Sequence, residues 1–145
     1  MKGFIRSVGV VLILTAIAKL VAGFGSAHVL LLDDPLFGVS FRSLLLFAAL
    51  LEIVVAAICF LGNDTGKQSA VVAWLATEFL LYRIGLHLVG YHKPCSCLGN
   101  ITDALYISPK SADMVMKFIL AYLLFGSYLG LYWQSQHLTS KMVQP

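Results

Sequence analysis

Four long apolar runs divide this chain, separated by clusters of glycine, asparagine, aspartate or proline. An apolar slab of about 30 Å takes about 20 helical residues to cross. Runs at residues 4–24, 44–61, 69–90 and 112–133 approach or exceed that length. The breaks are Gly23 to Ser26 with Asp33-Asp34-Pro35, then Gly62-Asn63-Asp64, then Gly99-Asn100 with Ser108-Pro109. Ser111 is placed to cap the last helix, with Asp113 in its first turn. Tyr132 and Trp133 fall where an interfacial anchor belongs. The pattern predicts an all-α fold, an integral membrane four-helix bundle forming a single domain over residues 1–145. No repeat, low-complexity tract or long linker interrupts it.

Composition agrees with the pattern. Hydrophobic residues make up 59% of the chain and charged residues 12%, and the mean hydropathy is +0.88. A soluble domain carries about 25% charged residues, so the surrounding of this chain is expected to be membrane lipid. The formal charge of +3 is small and forms no basic stripe, which leaves nucleic-acid binding without support.

Lys2 and Arg6 precede the first run as in a secretory signal, with Gly25-Ser26-Ala27 as a small-residue cleavage site. Lys19 interrupts that run and the apolar stretch continues beyond it, so the run is expected to stay as the first span. With the N-terminus inside, Lys2, Arg6, Lys67 and Lys141 are cytoplasmic, while Arg42, Lys93, Lys110 and Lys117 are outside. That tie is broken by the first helix. Asp33, Asp34, Asp103 and Asp113 also fall outside. Both termini are therefore expected in the cytoplasm of a multi-pass protein, with the third connection on the outer face.

That connection carries the chemistry. His92-Lys93-Pro94-Cys95-Ser96-Cys97-Leu98-Gly99-Asn100 sets two thiols one residue apart just after an apolar run ends. A Cys-X-Cys disulfide closes a small, strained ring, and strained bridges are the more oxidising ones. Pro94 restricts the chain before the pair and Gly99 permits a tight turn after it. His92 and Lys93 are cations close in sequence, of the kind that raise the thiolate fraction. An exterior compartment is where such pairs are oxidised and used. Two other readings stay open. His87, His92, Cys95 and Cys97 offer two nitrogens and two sulfurs to zinc or copper, although His87 and His92 are five residues apart and share one helix face poorly. The pair is otherwise an inert local bridge or two idle thiols. Cys59 lies about 22 Å along the second helix from its outer edge, so it is expected to be a small buried hydrophobe. Asn100-Ile101-Thr102 matches a glycosylation acceptor but lies too close to the membrane to serve as one.

Four charges fall inside the apolar runs: Lys19, Glu52, Glu78 and Arg83. Each costs a few kcal/mol at mid-membrane on insertion scales, so each is expected to face the bundle interior and find a partner. Counted at 1.5 Å per residue from the outer end, Lys19 lies about 8 Å deep, Arg83 about 10 Å, Glu52 about 12 Å and Glu78 about 18 Å. Lys19, Glu52 and Arg83 are thus expected to share one layer. Glu78 is within side-chain reach of Arg83, but the two are five apart on one helix and point to different faces, so a cross-helix pair is expected rather than an intrahelical one. That layer reads either as a polar clamp setting helix register or as a proton or quinone-headgroup path beneath the cysteines. Tyr82 adds a hydroxyl to either. Gly126 and Gly130 form a Gly-x-x-x-Gly step that favours close helix contact.

Four segments, in order, carry a family likeness: Ala18-Lys19-Leu20, Asp34-Pro35-Leu36-Phe37, Leu51-Glu52 and Cys95-Ser96-Cys97-Leu98-Gly99. With them the chain resembles the MauE branch of the DoxX-like membrane proteins over nearly its whole length. The resemblance implies a small four-helix protein that helps form or mature disulfides in exported proteins, alongside a thioredoxin-like partner. Tyr82-Arg83 and the Asn100-Ile101-Thr102-Asp103 tail depart from that pattern. Nothing in the chain points to a particular substrate. The expected function is thiol–disulfide exchange through Cys95 and Cys97 on the periplasmic side of a bacterial inner membrane, with electrons leaving to a second partner or a quinone. Its rivals are a non-catalytic subunit or scaffold of a membrane respiratory assembly, and a metal-handling protein.

Overall fold

The computed structural model describes residues 2–24, 28–90 and 109–142, and these are helical apart from short turns. The elements are α1 (Lys2–Gly23), a 3-10 turn (His28–Leu31), α2 (Phe41–Leu61), α3 (Thr65–Leu88) and α4 (Pro109–Met142). Among the described residues, four helices are long and apolar enough to cross a membrane, the last of them over Asp113–Gln136. Apolar residues such as Leu14, Phe47, Leu81 and Phe125 stay exposed on their outer faces. That surface suits acyl chains, and in length and composition the helices are those of a multi-pass membrane protein.

Local chemistry sets the helix starts earlier than hydropathy does. Ser40 caps α2, its hydroxyl accepting from the Ser43 N–H. Asp64 caps α3, accepting from the N–H groups of Gly66 and Lys67. Each cap satisfies a backbone donor that a helix start leaves open. Ser111 does not cap α4, which begins two residues earlier at Pro109. A proline suits that first position, because its missing N–H would have found no partner there. At 34 residues, α4 is about 51 Å long and outruns an apolar slab of about 30 Å.

The helices pack as two antiparallel pairs, α1 with α2 and α3 with α4. The three-residue turn at 62–64 joins the pairs and is held by Gln68. Its buried side-chain amide donates to the carbonyls of Ile58, Cys59 and Gly62 at 2.8–3.1 Å, closing the C-terminus of α2. Close approaches run through glycine: a Cβ on Gly9 would lie 2.8 Å from the Phe60 ring, and one on Gly126 would overlap Phe4. Phe4 also meets Tyr122 edge-on at 5.5 Å, and Ser7 shares a hydrogen bond with the Tyr122 hydroxyl. The Gly126 half of the small-residue step therefore brings α4 against α1.

The apolar core draws on all four helices: Ile5, Val8 and Leu12, then Val55, Ala56 and Cys59, then Val72, Leu75 and Ala76, then Leu120 and Leu123. Cys59 is a buried free thiol within it, as its position along α2 predicted. Most of this core lies toward the 62–64 turn. The opposite end of the bundle is built differently.

Candidate functional site

At that opposite end the α1–α2 connection folds back as a cap. Asp34 organises it. The carboxylate is buried, and its Oδ1 accepts from the N–H groups of Leu36 at 2.8 Å and Phe37 at 3.0 Å. The Asp34 carbonyl takes the N–H of Gly38, which sits at φ +63°, a conformation that favours glycine. Pro35 fits where no donor is needed. The cap is then pinned to α3 at two successive turns. The Tyr82 hydroxyl donates to Asp34 Oδ2 at 2.6 Å, Phe37 stacks on the Tyr82 ring at 6.1 Å, and Leu36 fills the space left by Gly85. Arg42, one residue into α2, donates to the Gly23 carbonyl at 2.7 Å and closes the C-terminus of α1.

Beneath this cap lies a cavity of about 390 Å³ between the two helix pairs. Its deep wall carries Thr15, Lys19 and Glu52, and its sides are largely aromatic and aliphatic. Lys19 and Glu52 form a buried ion pair, with the residues 4% and 2% exposed. The ammonium also stands 4.9 Å from the centroid of the Phe79 ring. Glu52 spends one oxygen on Lys19. The other, Oε2, is buried without a hydrogen-bond partner, an arrangement that costs free energy unless something else supplies a donor.

The expected single layer is in fact two units. Lys19 and Glu52 meet as anticipated, at matching depths on neighbouring antiparallel helices. Arg83 pairs instead with Asp113 of α4 at 2.8 Å, and Asp113 also takes Lys117 at 2.7 Å. Arg83 thus has a cross-helix partner, as expected, rather than Glu78 of its own helix. Five residues of helix separate Glu78 and Arg83 by about 140° of rotation, and the start of α4 brings Asp113 to the Arg83 side. Glu78 departs from expectation: it is exposed and stands in the cavity wall. Lys19, Glu52, Glu78 and Arg83 nevertheless all border the one cavity. His87 is exposed in the last turn of α3. His92, Cys95 and Cys97 lie outside the described residues.

Three contributors went unseen in the sequence. In the sequence Asp34 stands out only as part of a motif and as an outer charge, yet its role is to tie the cap to Tyr82. Asp113 looks there like a first-turn charge, although its i,i+4 spacing to Lys117 marks it as a pairing residue. Gln68 gave no signal, because one polar residue at a helix start looks like a surface position.

No protein-family profile, curated protein or solved structure matches the chain. Any functional reading therefore rests on the residues and their geometry.

Proposed function

We propose that this chain is a thiol–disulfide exchange protein of the bacterial inner membrane, resembling the MauE and DoxX-like proteins. In this reading both termini are cytoplasmic, and Cys95 and Cys97 cycle between disulfide and dithiol on the periplasmic face. A thiolate of an exported or thioredoxin-like partner attacks one sulfur of the Cys95–Cys97 bridge. That S–S bond breaks and a mixed disulfide forms. A second partner thiol displaces it, leaving the partner oxidised and the protein pair as a dithiol with the two electrons and two protons. These pass to a second partner or to a quinone, which leaves as quinol.

The observation that carries the proposal is a Cys-X-Cys in the connection between α3 and α4, whose flanking helix ends border the capped end of the bundle. The ordered likeness over Lys19, Asp34 to Phe37 and Glu52 supports it, since Lys19, Phe37 and Glu52 all line one cavity and Asp34 folds the turn that carries Phe37.

Thiol trapping on membranes tests it. Wild-type chain is expected to yield an oxidised 95–97 pair, and Cys95→Ser or Cys97→Ser to accumulate a mixed disulfide with a partner. If neither cysteine ever forms a bridge or a trapped adduct, exchange is wrong.

The buried Lys19–Glu52 pair favours one rival, a non-catalytic scaffold subunit. It predicts that the double serine variant keeps function while changes at Lys19 or Glu52 lose it.

A further inference from the structure

We infer that the cavity under the Asp34 cap is a binding site for a lipid-soluble quinone or its quinol. The inference stands on the described helices alone and does not depend on the chemistry of the cysteines.

Three features select the ligand. The first is the wall. Phe37, Phe41, Phe47, Trp74, Phe79 and Tyr82 surround a space of about 390 Å³, within the range of about 300–1,000 Å³ typical of small-molecule sites. Aromatic side chains around a slot favour a flat ring, which stacks offset or edge-on against them.

The second feature is polarity at the deep end. Glu52 Oε2 is a buried acceptor without a donor. Lys19 has three N–H donors, of which one meets Glu52 and the ring of Phe79 lies close by. An acceptor and a donor thus sit side by side, and the pair carries no net charge. An anionic or cationic headgroup gains no counter-charge from that pair; the other charges on the wall are Arg83, which is paired with Asp113, and Glu78, which is exposed and outside the deep end. A neutral ring bearing oxygens does gain: a quinone carbonyl accepts from Lys19 Nζ, and a quinol hydroxyl donates to Glu52 Oε2. Both states of one couple are met by the same two side chains.

The third feature is the entrance. Leu44, Ala48 and Leu51 of α2 face Met116, Ile119 and Leu123 of α4 across the cavity, where the two helix pairs make little contact. An apolar opening between membrane-spanning helices admits a molecule dissolved in the bilayer and leaves its tail among acyl chains.

The probe is decylubiquinone, titrated into purified full-length protein in detergent, with the fluorescence of Trp74 as the signal. Trp74 lines the cavity, and Trp74→Phe leaves Trp133 on α4 as the control for collisional quenching. We expect saturable quenching in the wild type and none in Trp74→Phe. Ala48→Phe, which narrows the opening and keeps both members of the polar pair, should weaken binding at least tenfold. Lys19→Met combined with Glu52→Met keeps the charge balanced and should also weaken binding at least tenfold. Circular dichroism and gel filtration report whether each variant stays folded. Decylbenzene, which has the tail and ring but no oxygens, should compete at least tenfold more weakly. The inference is overturned if quenching never saturates, if folded Ala48→Phe binds as the wild type does, or if decylbenzene or bilayer phospholipid displaces the probe equally well.

Discussion

Lys19 and Glu52 show why a charged residue survives inside an apolar helix. Each alone is costly within the slab. Together they sit 4% and 2% exposed, where their attraction offsets desolvation without exceeding it by much. The consequence is asymmetric. Lys19→Met or Glu52→Met alone strands its partner and is expected to cost about 3–5 kcal/mol, whereas the double variant should lie close to wild type. Thermal denaturation of the four proteins in one detergent gives the coupling directly. Additive single effects, with the double variant the least stable, would show that the two side chains do not depend on each other. Tyr82 is the second residue with an outsized role. Its hydroxyl meets the buried Asp34 carboxylate at 2.6 Å, so Tyr82→Phe leaves Oδ2 short of a donor. A loss of about 1–3 kcal/mol follows, and faster hydrogen exchange should be confined to residues 28–40.

Among the elements, glycine decides which helices touch. α4 reaches α1 because Gly126 leaves room for the Phe4 ring, and α3 receives the cap because Gly85 leaves room for Leu36. A side chain at either position meets an occupied volume, and overpacking costs about 1–3 kcal/mol. Gly126→Leu is expected to loosen the α1–α4 contact, whereas Gly3→Ala, where a Cβ meets nothing, should be neutral or better. Thermal denaturation in one detergent provides the readout: the midpoint should fall for Gly126→Leu and hold for Gly3→Ala, and Phe4→Ala should relieve part of the Gly126→Leu loss. Equal midpoints for Gly126→Leu and Gly3→Ala would mean that Gly126 does not set the approach. Element boundaries follow the same local logic, since Ser40 and Asp64 begin α2 and α3 by accepting backbone N–H bonds.

The molecule as a whole separates two tasks along its length. The end near the 62–64 turn holds most of the close-packed core, and the other end holds a capped cavity with a buried polar pair. The first is close-packed, and the second encloses open space. The proposed direction of this axis across the membrane rests on Lys2 and Arg6 at the start of α1. A reporter inserted at position 63 should therefore read as cytoplasmic, and one at position 96 as periplasmic. The opposite result would put the cysteines in a reducing compartment and end the exchange proposal.

The four apolar runs, their order and the burial of Cys59 were legible from the chain itself. Span length and polarity are local properties, and lipid leaves a backbone segment little choice but helix. That Lys19 and Glu52 lie in one layer was legible too, because matching depths on adjacent antiparallel helices can be counted from their ends, as was the poor fit of Glu78 to Arg83 five residues along the same helix. The partner that Arg83 finds across the bundle was not. That it is Asp113 depends on how α3 and α4 are rotated against each other and on where α4 begins, and neither is encoded within one segment. The cavity belongs entirely to the tertiary level: it exists because two helix pairs diverge above a shared core and a loop pinned by Tyr82 closes over the gap.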